Sequence, residues 1–293
     1  MEIAMIGLGR MGGNLAKNMT DNGVKVKGWS PSNREVEGVE GKKTIKELVE
    51  SLSAPRTVWV MVPAGKPTDD VLEELKDLLD KNDTLIEAGN SNYEETKIRA
   101  KTFESMGINF IDAGVSGGTD GARYGASTMV GGREAAIKPY EDLFKAVSKE
   151  GGYGHMGSHG AGHFVKMVHN GIEYGMMQAL AEGYALLDAS EYDLDYTTVS
   201  KTWSNGSIIE SFLLDTIQSA FENSNTLDDI KPIVDFSGEG EWTVENAVKL
   251  KVSTPVIAAA LFARFKTKDD NQFAERVLAA MRGEFGGHKV HKK

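Results

Sequence analysis

Four polar side chains interrupt the otherwise apolar run FVKMVHNGIEYG at residues 164–175. They are Lys166, His169, Asn170 and Glu173, at offsets of 0, 3, 4 and 7 along the chain. Because residues spaced by three or four share one face of a helix, these offsets predict a single polar stripe. A solvated face usually carries many Lys and Glu residues, whereas this stripe offers one amine, one imidazole, one amide and one carboxylate. Such a set suits proton transfer to and from a bound substrate.

Two glycines, Gly171 and Gly175, lie beside this stripe. Each costs about 1 kcal/mol of helix propensity relative to alanine. We therefore expect another element to pack very closely against the helix. A helix face that simply contacts water remains the alternative interpretation of the stripe.

Length and composition restrict the kind of protein that carries this helix. The chain has 293 residues, of which 40% are hydrophobic and 26% charged, values typical of a soluble globular protein with room for two domains. The longest apolar run, PVIAAALFA at 255–263, is about half of what a membrane span needs. The N-terminal MEIAMIGLG has an acid where a signal peptide is basic, which favours a first strand. The absence of cysteine excludes disulfides and thiolate metal sites and agrees with a cytoplasmic location.

The net charge of −10 disfavours nucleic acid as a partner. An anionic ligand would therefore need a local positive pocket.

The chain changes character near residue 160. Before it, apolar or β-branched runs alternate with amphipathic stretches, which predicts an α/β domain with a doubly wound parallel sheet. The runs are EIAMI, VKVKGW, TVWVMV, DTLIEA and INFIDA. After it, helical patterns dominate, so we predict two domains, residues 1–160 and an all-α domain of residues 161–293. The stretch GSHGAGH at 157–163 is the predicted hinge, and a long helix should begin near Phe164.

A glycine motif, GLGRMG at residues 7–12, follows the first predicted strand and opens a helix. Gly7, Gly9 and Gly12 allow a tight turn, close approach of the backbone to a pyrophosphate, and close packing of helix on strand. In this context the motif predicts a Rossmann-like dinucleotide site, with Leu8, Arg10 and Met11 between the glycines.

The second predicted strand ends without the acid that NAD-binding proteins usually place there. Ser30 occupies that position, and Ser32, Asn33 and Arg34 follow it. Without a carboxylate there is no repulsion toward a 2′-phosphate, and an arginine can pair with one. The sequence therefore favours NADP over NAD as the cofactor.

The segment at 112–132, DAGVSGGTDGARYGASTMVGG, is too rich in glycine for a regular element and is predicted to be a loop. Within it, Ser116, Gly117 and Gly118 could offer a hydroxyl and backbone N–H groups to a carboxylate or phosphate. The histidines at 155, 159 and 163 have neither helical spacing nor interleaved carboxylates, so no metal site is expected.

Several motifs together resemble one enzyme family, 6-phosphogluconate dehydrogenase, in its short-chain form. They are IGLGRMG, GNSNY, GVSGG, GAGHFVKMVHNGIEYG, GEGEWT, FARF and RGEFGGH. The glycine motif is shared with all β-hydroxyacid dehydrogenases. The helix with His169 and Asn170 is more specific, because the wider superfamily usually has two asparagines there.

The resemblance implies a role for each matching residue of this chain. Lys166 matches the general base and Glu173 the general acid. The positions that match substrate contacts are Asn90, Ser116, Gly117, Gly118, His169, Asn170, Tyr174 and Arg264. Arg282 and His288 match a pair that reaches the neighbouring subunit's site, which implies a homodimer or homotetramer whose C-terminal tail completes that site. The cofactor would contact the glycine motif, Asn90 and the loop of Val62, Pro63 and Ala64.

The implied reaction is oxidation and decarboxylation of 6-phosphogluconate to ribulose 5-phosphate and carbon dioxide, with NADP or NAD and without a metal. This chain departs from the family pattern at EAGN, in place of DGGN, and at Ser237, in place of a phosphate-binding lysine. Two alternatives stay open. One is a dehydrogenase for a smaller 3-hydroxy acid, and the other is a dinucleotide-sensing protein without catalysis.

Glycines at 283, 286 and 287 predict that the C-terminal segment is a poor helix and leaves the domain as an arm.

Overall fold

The computed structural model describes residues 1–224, 226–286 and 289–291. The chain forms two compact units, Met1–Asn170 and Gly171–Lys293. Within the described residues, none of the helices has both the length and the apolar character needed to cross a membrane.

The first unit contains an eight-stranded sheet. Its strands are β1 (Glu2–Ile6), β2 (Lys25–Trp29), β3 (Val39–Gly41), β4 (Thr57–Val60), β5 (Thr84–Glu87), β6 (Asn109–Ser116), β7 (Ala126–Gly132) and β8 (Ser148–Gly157). Their order is β3-β2-β1-β4-β5-β6-β7-β8, and only β6 and β7 pair antiparallel. The order of the first six strands reverses between β1 and β4, as in dinucleotide-binding sheets.

Helices connect these strands. They are α1 (Arg10–Asp21), α2 (Ile45–Glu50), α3 (Lys66–Lys76), α4 (Tyr93–Ser105), α5 (Gly118–Tyr124), α6 (Glu134–Ile137) and α7 (Glu141–Val147). A further helix, α8 (Ala161–Asp188), begins in the first unit and continues into the second.

Both faces of the central strands are buried. Along β1, Ile3 and Met5 belong to one apolar cluster, while Ala4 and Ile6 belong to another. Because alternate residues of a strand point to opposite faces, the two clusters lie on the two sides of the sheet. Burial on both sides explains why these strands have continuous apolar sequences rather than alternating ones.

The second unit is helical wherever it has regular structure in the described residues. Its helices are the second part of α8, α9 (Tyr196–Trp203), α10 (Phe212–Asn223), α11 (Glu239–Leu250), α12 (Pro255–Lys266) and α13 (Phe273–Gly286). The expected close approach to α8 is present, because a Cβ on Gly171 would lie 2.5 Å from Thr243 Cγ2. The predicted fold class, a Rossmann-like α/β domain followed by a helical one, is confirmed.

Two local predictions are wrong, and a third is displaced by three residues. Residues 112–132 are not a loop, since they contain the end of β6, all of α5 and all of β7. The long helix begins at Ala161, three residues before Phe164, so only three residues separate β8 from α8. The segment around Gly283 is not a poor helix, because α13 continues to Gly286.

Candidate active site and cofactor site

The glycine motif forms a tight turn between β1 and α1. Gly7 has a φ of 102°, and a Cβ there would lie 2.3 Å from the carbonyl oxygen of Met61. A Cβ on Gly12 would lie 1.9 Å from the carbonyl oxygen of Gly7. Both positions therefore require glycine.

The helix that follows has an open N-terminus. Gly9 is the N-cap of α1, no side chain caps that end, and no acid lies in the first turn. A Cβ on Gly9 would meet no atom within 4 Å, so the space in front of the turn is open. Unpaired backbone N–H groups and the helix dipole favour an anion at such a place. The turn thus fits the pyrophosphate of a dinucleotide, with Leu8 buried beneath it and Arg10 exposed.

The loop after β4 lies beside this turn. Gly7 contacts Met61, and a Cβ on Gly89 would lie 2.7 Å from the carbonyl oxygen of Val62. Thr68 donates a hydrogen bond of 2.9 Å to the carbonyl of Pro63, and Ala64 is half-buried. These loops follow β1, β4 and β5, where the strand order reverses. Ligands of open α/β sheets bind in the crevice at this position.

A cleft of about 820 Å³ lies at the end of β2. Ser30, Asn33, Arg34, Lys42 and Lys43 line it, together with Glu35 and Glu37. Ser30 is buried, and its Oγ accepts a hydrogen bond of 3.1 Å from the backbone N–H of Arg34 and lies 3.4 Å from Ser32 Oγ. The cleft therefore combines three cationic side chains with a hydroxyl at the position where NAD-binding proteins have an acid.

Lys166 lies in the second turn of α8 with only 5% of its surface exposed. Its Nζ donates a hydrogen bond to Asn170 Oδ1. His169 Nδ1 lies 2.9 Å from the same oxygen, and His169 Nε2 lies 3.2 Å from Ser116 Oγ. The structure thus joins four of the sequence-predicted residues in one hydrogen-bonded chain.

The chemistry of Asn170 fixes the direction of these bonds. An amide oxygen only accepts, so His169 carries a hydrogen on Nδ1. In the neutral ring, Nε2 is then an acceptor and receives the hydroxyl hydrogen of Ser116. Asn170 therefore orients both Lys166 and the imidazole.

Alternate residues of β6 support the first turns of α8. Asp112 is fully buried, and its carboxylate accepts from the backbone N–H of Gly160 at 2.7 Å and of His163 at 3.0 Å. This caps the helix and complements its dipole. Two residues on, a Cβ on Gly114 would lie 2.4 Å from Lys166 Cβ. Neither role was predicted from the sequence, because a loop was expected from residue 112 onward.

Asn90 lies beside the end of the same strand. Its backbone has a φ of 53°, and its side chain bonds twice to the backbone of Val115, at 3.1 and 3.3 Å. Gly117 and Gly118 follow with φ values of 113° and 63°, a conformation that favours glycine. Asn90, Ser116 and the two glycines thus form one border of the region that holds Lys166.

The second unit holds Tyr174 and Arg264 in direct contact. The guanidinium of Arg264 lies 3.7 Å from the centroid of the Tyr174 ring, a cation–π contact, and Nη1 donates to the carbonyl of Asp235 at 3.1 Å. A Cβ on Gly240 would lie 2.3 Å from Cε2 of the Tyr174 ring. Both side chains are buried, which holds the guanidinium in a fixed orientation.

The remaining predicted residues are less defined. Glu173 is half-buried on α8, and Ser237 Oγ donates to Glu239 Oε2 at 2.8 Å. Arg282 is exposed on α13, and His288 lies outside the described residues.

Among residues 1–224, 226–286 and 289–291, no three histidine or acidic side chains cluster as metal ligands would. The three histidines considered above have separate partners. His155 contacts the carbonyl of Gly157 at 2.8 Å, His159 lies 3.5 Å from Glu104, and His163 contacts Thr96 at 2.8 Å.

Two family models match almost the whole chain. The NAD binding domain of 6-phosphogluconate dehydrogenase matches residues 2–157, and the C-terminal domain of 6-phosphogluconate dehydrogenase matches residues 162–292. The first match agrees with the open turn at Gly9 and identifies the first unit as an NAD(P)-binding domain.

Similar proteins agree with these models. A Bacillus subtilis protein, described provisionally as a 6-phosphogluconate dehydrogenase, is 46% identical over 298 residues and covers 100% of both chains. The NAD(+)-dependent, decarboxylating 6-phosphogluconate dehydrogenase of Haloferax volcanii is 40% identical over 300 residues, which cover 100% of this chain and 99% of the relative.

Solved structures give the same result. The 6-phosphogluconate dehydrogenase of Plasmodium falciparum superposes with a TM-score of 0.79 at 28% identity, and the match covers 100% of this chain but 66% of that one. A 3-hydroxyisobutyrate dehydrogenase of Mycobacterium tuberculosis superposes with a TM-score of 0.72 at 21% identity over 92% of this chain and 94% of that one, which shows a shared fold. Both domain models match in the expected order, and two relatives that align over their full length are 46% and 40% identical. The chain therefore belongs to the 6-phosphogluconate dehydrogenase family.

Proposed function

We propose that this protein oxidises and decarboxylates 6-phosphogluconate to ribulose 5-phosphate and carbon dioxide, with reduction of NADP or NAD. The observation that carries the proposal is the environment of Lys166. A buried amine is bonded to Asn170 in the second turn of α8, and Glu173 follows seven residues, about two helical turns, later in the same helix. This spacing suits a base and an acid that serve one bound sugar acid between them.

Lys166 is the proposed base. The amine takes the proton of the carbon-3 hydroxyl. The cofactor, when bound, supplies the acceptor for the hydride from carbon 3. The ammonium that Lys166 has become then polarises the new 3-keto oxygen while carbon dioxide leaves. Asn170 keeps the amine in place throughout.

Glu173 is the proposed acid, which protonates carbon 1 of the enediol after carbon dioxide has left. Its side chain is half-buried on α8.

The proposed substrate contacts divide by chemistry. The polar groups beside Lys166 bind the carboxylate and hydroxyls, and these are Asn90, Ser116, Gly117, Gly118, His169 and Asn170. Arg264, oriented by Tyr174, binds the phosphate through a charge-assisted hydrogen bond. Arg282 and His288 are proposed to contact the phosphate in a second copy of the chain, in a homodimer or homotetramer. The proposed domain division is at residue 160.

NADP is the proposed preferred cofactor, because Ser30, Arg34 and Lys43 line the cleft where a 2′-phosphate would bind. The names of similar proteins point both ways, since the Haloferax volcanii enzyme is NAD(+)-dependent and the Plasmodium falciparum structure was described with NADP+.

The experiment incubates the protein with 6-phosphogluconate and each cofactor separately, and follows reduced nicotinamide and carbon dioxide. Matched reactions with gluconate test whether the substrate needs its phosphate. Matched reactions with 3-hydroxyisobutyrate test whether a smaller acid is accepted. We expect one carbon dioxide for each nicotinamide reduced, with 6-phosphogluconate only. Turnover of 3-hydroxyisobutyrate without 6-phosphogluconate activity would identify a dehydrogenase for smaller acids. Cofactor binding without any turnover would identify a sensing protein.

A further inference from the structure

A fully buried carboxylate, Glu87, lies at the end of β5, three residues before Asn90. Its Oε1 accepts a hydrogen bond of 3.0 Å from the backbone N–H of Gly89 and another of 3.0 Å from the hydroxyl of Ser91. These two donors flank Asn90 on either side. One oxygen atom therefore holds the turn in which Asn90 has its left-handed φ of 53°.

The other oxygen of Glu87 faces two cationic or donor groups. Oε2 lies 3.6 Å from Arg99 Nη1 and 3.6 Å from His163 Nδ1. Thr96 donates its hydroxyl hydrogen to the carbonyl of Asn92 at 3.1 Å, so its oxygen accepts from His163 Nδ1 at 2.8 Å. His163 consequently carries a hydrogen on Nδ1, directed at Thr96 and Glu87.

The position of His163 gives this cluster its significance. It belongs to the first turn of α8, three residues before Lys166. Glu87 thus connects the turn of Asn90 with the start of the helix that carries Lys166, while Arg99 supplies the compensating charge. Arg99 is itself anchored by Asp69 at 2.6 Å and by Glu95 at 3.0 Å.

We propose that Glu87 is a positioning residue that sets the geometry of Asn90 relative to Lys166. It does not contact substrate, since it is fully buried, and it acts through the hydrogen bonds to Gly89 and Ser91. The inference rests on the proposed function, in which Asn90 binds substrate and Lys166 takes its proton.

The variant Glu87→Gln tests this role, because an amide cannot satisfy both sides of the cluster. If its oxygen stays with Gly89 and Ser91, its NH₂ group faces the donors of Arg99 and His163. If it rotates, the NH₂ group faces the backbone N–H of Gly89, which can only donate. Either arrangement disturbs the turn, and we expect kcat/KM for 6-phosphogluconate to fall at least about tenfold, as for loss of one hydrogen bond to a charged group.

Glu95→Gln is the matched control. It removes another carboxylate partner of Arg99, one that is half-exposed and does not touch Asn90. We expect its kcat/KM to stay within about twofold of the wild type, as is usual for an exposed pair.

A double-mutant cycle with Asn90→Ala separates positioning from a general loss of stability. If Glu87 acts through Asn90, Glu87→Gln has little further effect once Asn90 is alanine. Additive losses would overturn the proposal. Ser91→Ala, which removes only one of the two bonds, keeps the test available if Glu87→Gln does not fold. We expect a several-fold fall in kcat/KM, and wild-type kinetics for Ser91→Ala would overturn the proposal.

Hydrogen exchange at the amides of residues 88–92 gives a readout that needs no turnover. We expect faster exchange in Glu87→Gln and unchanged exchange in Glu95→Gln. Unchanged exchange in Glu87→Gln would overturn the positioning role even in an active enzyme. Absence of 6-phosphogluconate oxidation by the wild type would instead overturn the proposed function.

Discussion

Replacing Gly114 by alanine tests whether the packing of Lys166 against β6 determines kcat. Gly114 lies in β6 and is the point where the strand contacts the second turn of α8. An added Cβ would lie 2.4 Å from Lys166 Cβ, 2.9 Å from Lys166 Cγ and 3.0 Å from the carbonyl oxygen of Gly162. Ordinary contacts between such atoms begin near 3.4 Å, so Lys166 must move away by about 1 Å.

The geometry gives the size of the expected effect. The added methyl group would collide with the carbonyl oxygen of Gly162 and with the first carbon atoms of the Lys166 side chain. Neither can move independently of the helix. Overpacking of this kind typically costs about 1–3 kcal/mol of folding free energy. A displacement of about 1 Å of a reacting group can lower the rate by about 100-fold. We therefore expect Gly114→Ala to fold, to lose about 1–3 kcal/mol of stability, and to lose about 100-fold in kcat.

The assay measures kcat with 6-phosphogluconate, together with urea unfolding of the same preparations. Gly183→Ala is the matched control, because it lies on the same helix and its Cβ would meet no atom within 4 Å. Alanine there should stabilise the helix by about 0.5–1 kcal/mol and leave kcat unchanged. If Gly114→Ala keeps kcat within about threefold of the wild type, the contact with β6 does not fix the position of Lys166, the proposed base, and the prediction is refuted.

Three further predictions concern the proposed roles directly. Lys166→Met should lower turnover by about 100- to 10,000-fold, while Glu173→Gln should slow product formation more than oxidation, which rapid mixing resolves; a Lys166→Met enzyme with a tenth of wild-type turnover would contradict the base assignment. Ser30→Asp should shift the ratio of kcat/KM values toward NAD, because a carboxylate repels the 2′-phosphate and accepts from the ribose hydroxyls; equal efficiencies with both cofactors in the wild type would refute the preference. Mixing Arg282→Ala chains with Lys166→Met chains should restore part of the activity if the C-terminal segment serves the neighbouring copy, and no recovery in a verified heterodimer would exclude that arrangement.

The central strands β1, β4, β5 and most of β6 were predictable because they are buried on both faces. Continuous apolar runs such as EIAMI and TVWV match β1 and β4 closely. The weakly apolar β3 and the glycine-rich β7 carry no such signal and were missed. Their sequences, VEG and ASTMVGG, form strands only because neighbouring strands supply the hydrogen-bond partners.

Glycine was misinterpreted between residues 112 and 132. High glycine content lowers the propensity for any regular element, which is why a loop was expected. The structure gives these glycines a packing function instead. A Cβ on Gly131 would lie 2.6 Å from both carboxylate oxygens of Asp112, and one on Gly162 would lie 2.4 Å from the carbonyl of Met129. α8 can approach β6 and β7 this closely only because these glycines have no side chain. Sequence propensity contains no information about such an approach.

Local propensity also failed at the C-terminus. Gly283 and Gly286 lie in the last turn of α13, and Gly286 is its last residue. A glycine costs about 1 kcal/mol in the middle of a helix, whereas at the end it is a common terminator. The glycines therefore mark where the helix ends rather than exclude it.

The candidate-site residues that lie together on α8 were predictable, whereas the residues of β6 that support them were not. The geometry of β6 explains the difference. Lys166, His169 and Asn170 share one face of one helix, so the helical period alone groups them. Their supports are alternate residues of β6, which share one face of a strand for the same kind of reason. Asp112 binds the first turn of α8, Gly114 admits Lys166 in the second, and Ser116 bonds to His169 in the third.

Every second residue of the strand thus lies against every third or fourth residue of the helix. The two segments are far apart in sequence, since 53 positions separate Ser116 from His169. Neither pattern indicates the other until the strand and the helix are known to touch. Once they do, each of the three strand residues has a type that its contact demands. A carboxylate is needed for backbone N–H groups, no side chain for a close lysine, and a hydroxyl for an imidazole nitrogen. Substitution at any of the three should therefore alter the position of Lys166 or His169. Only at Ser116 would it also remove a group that we propose to contact substrate.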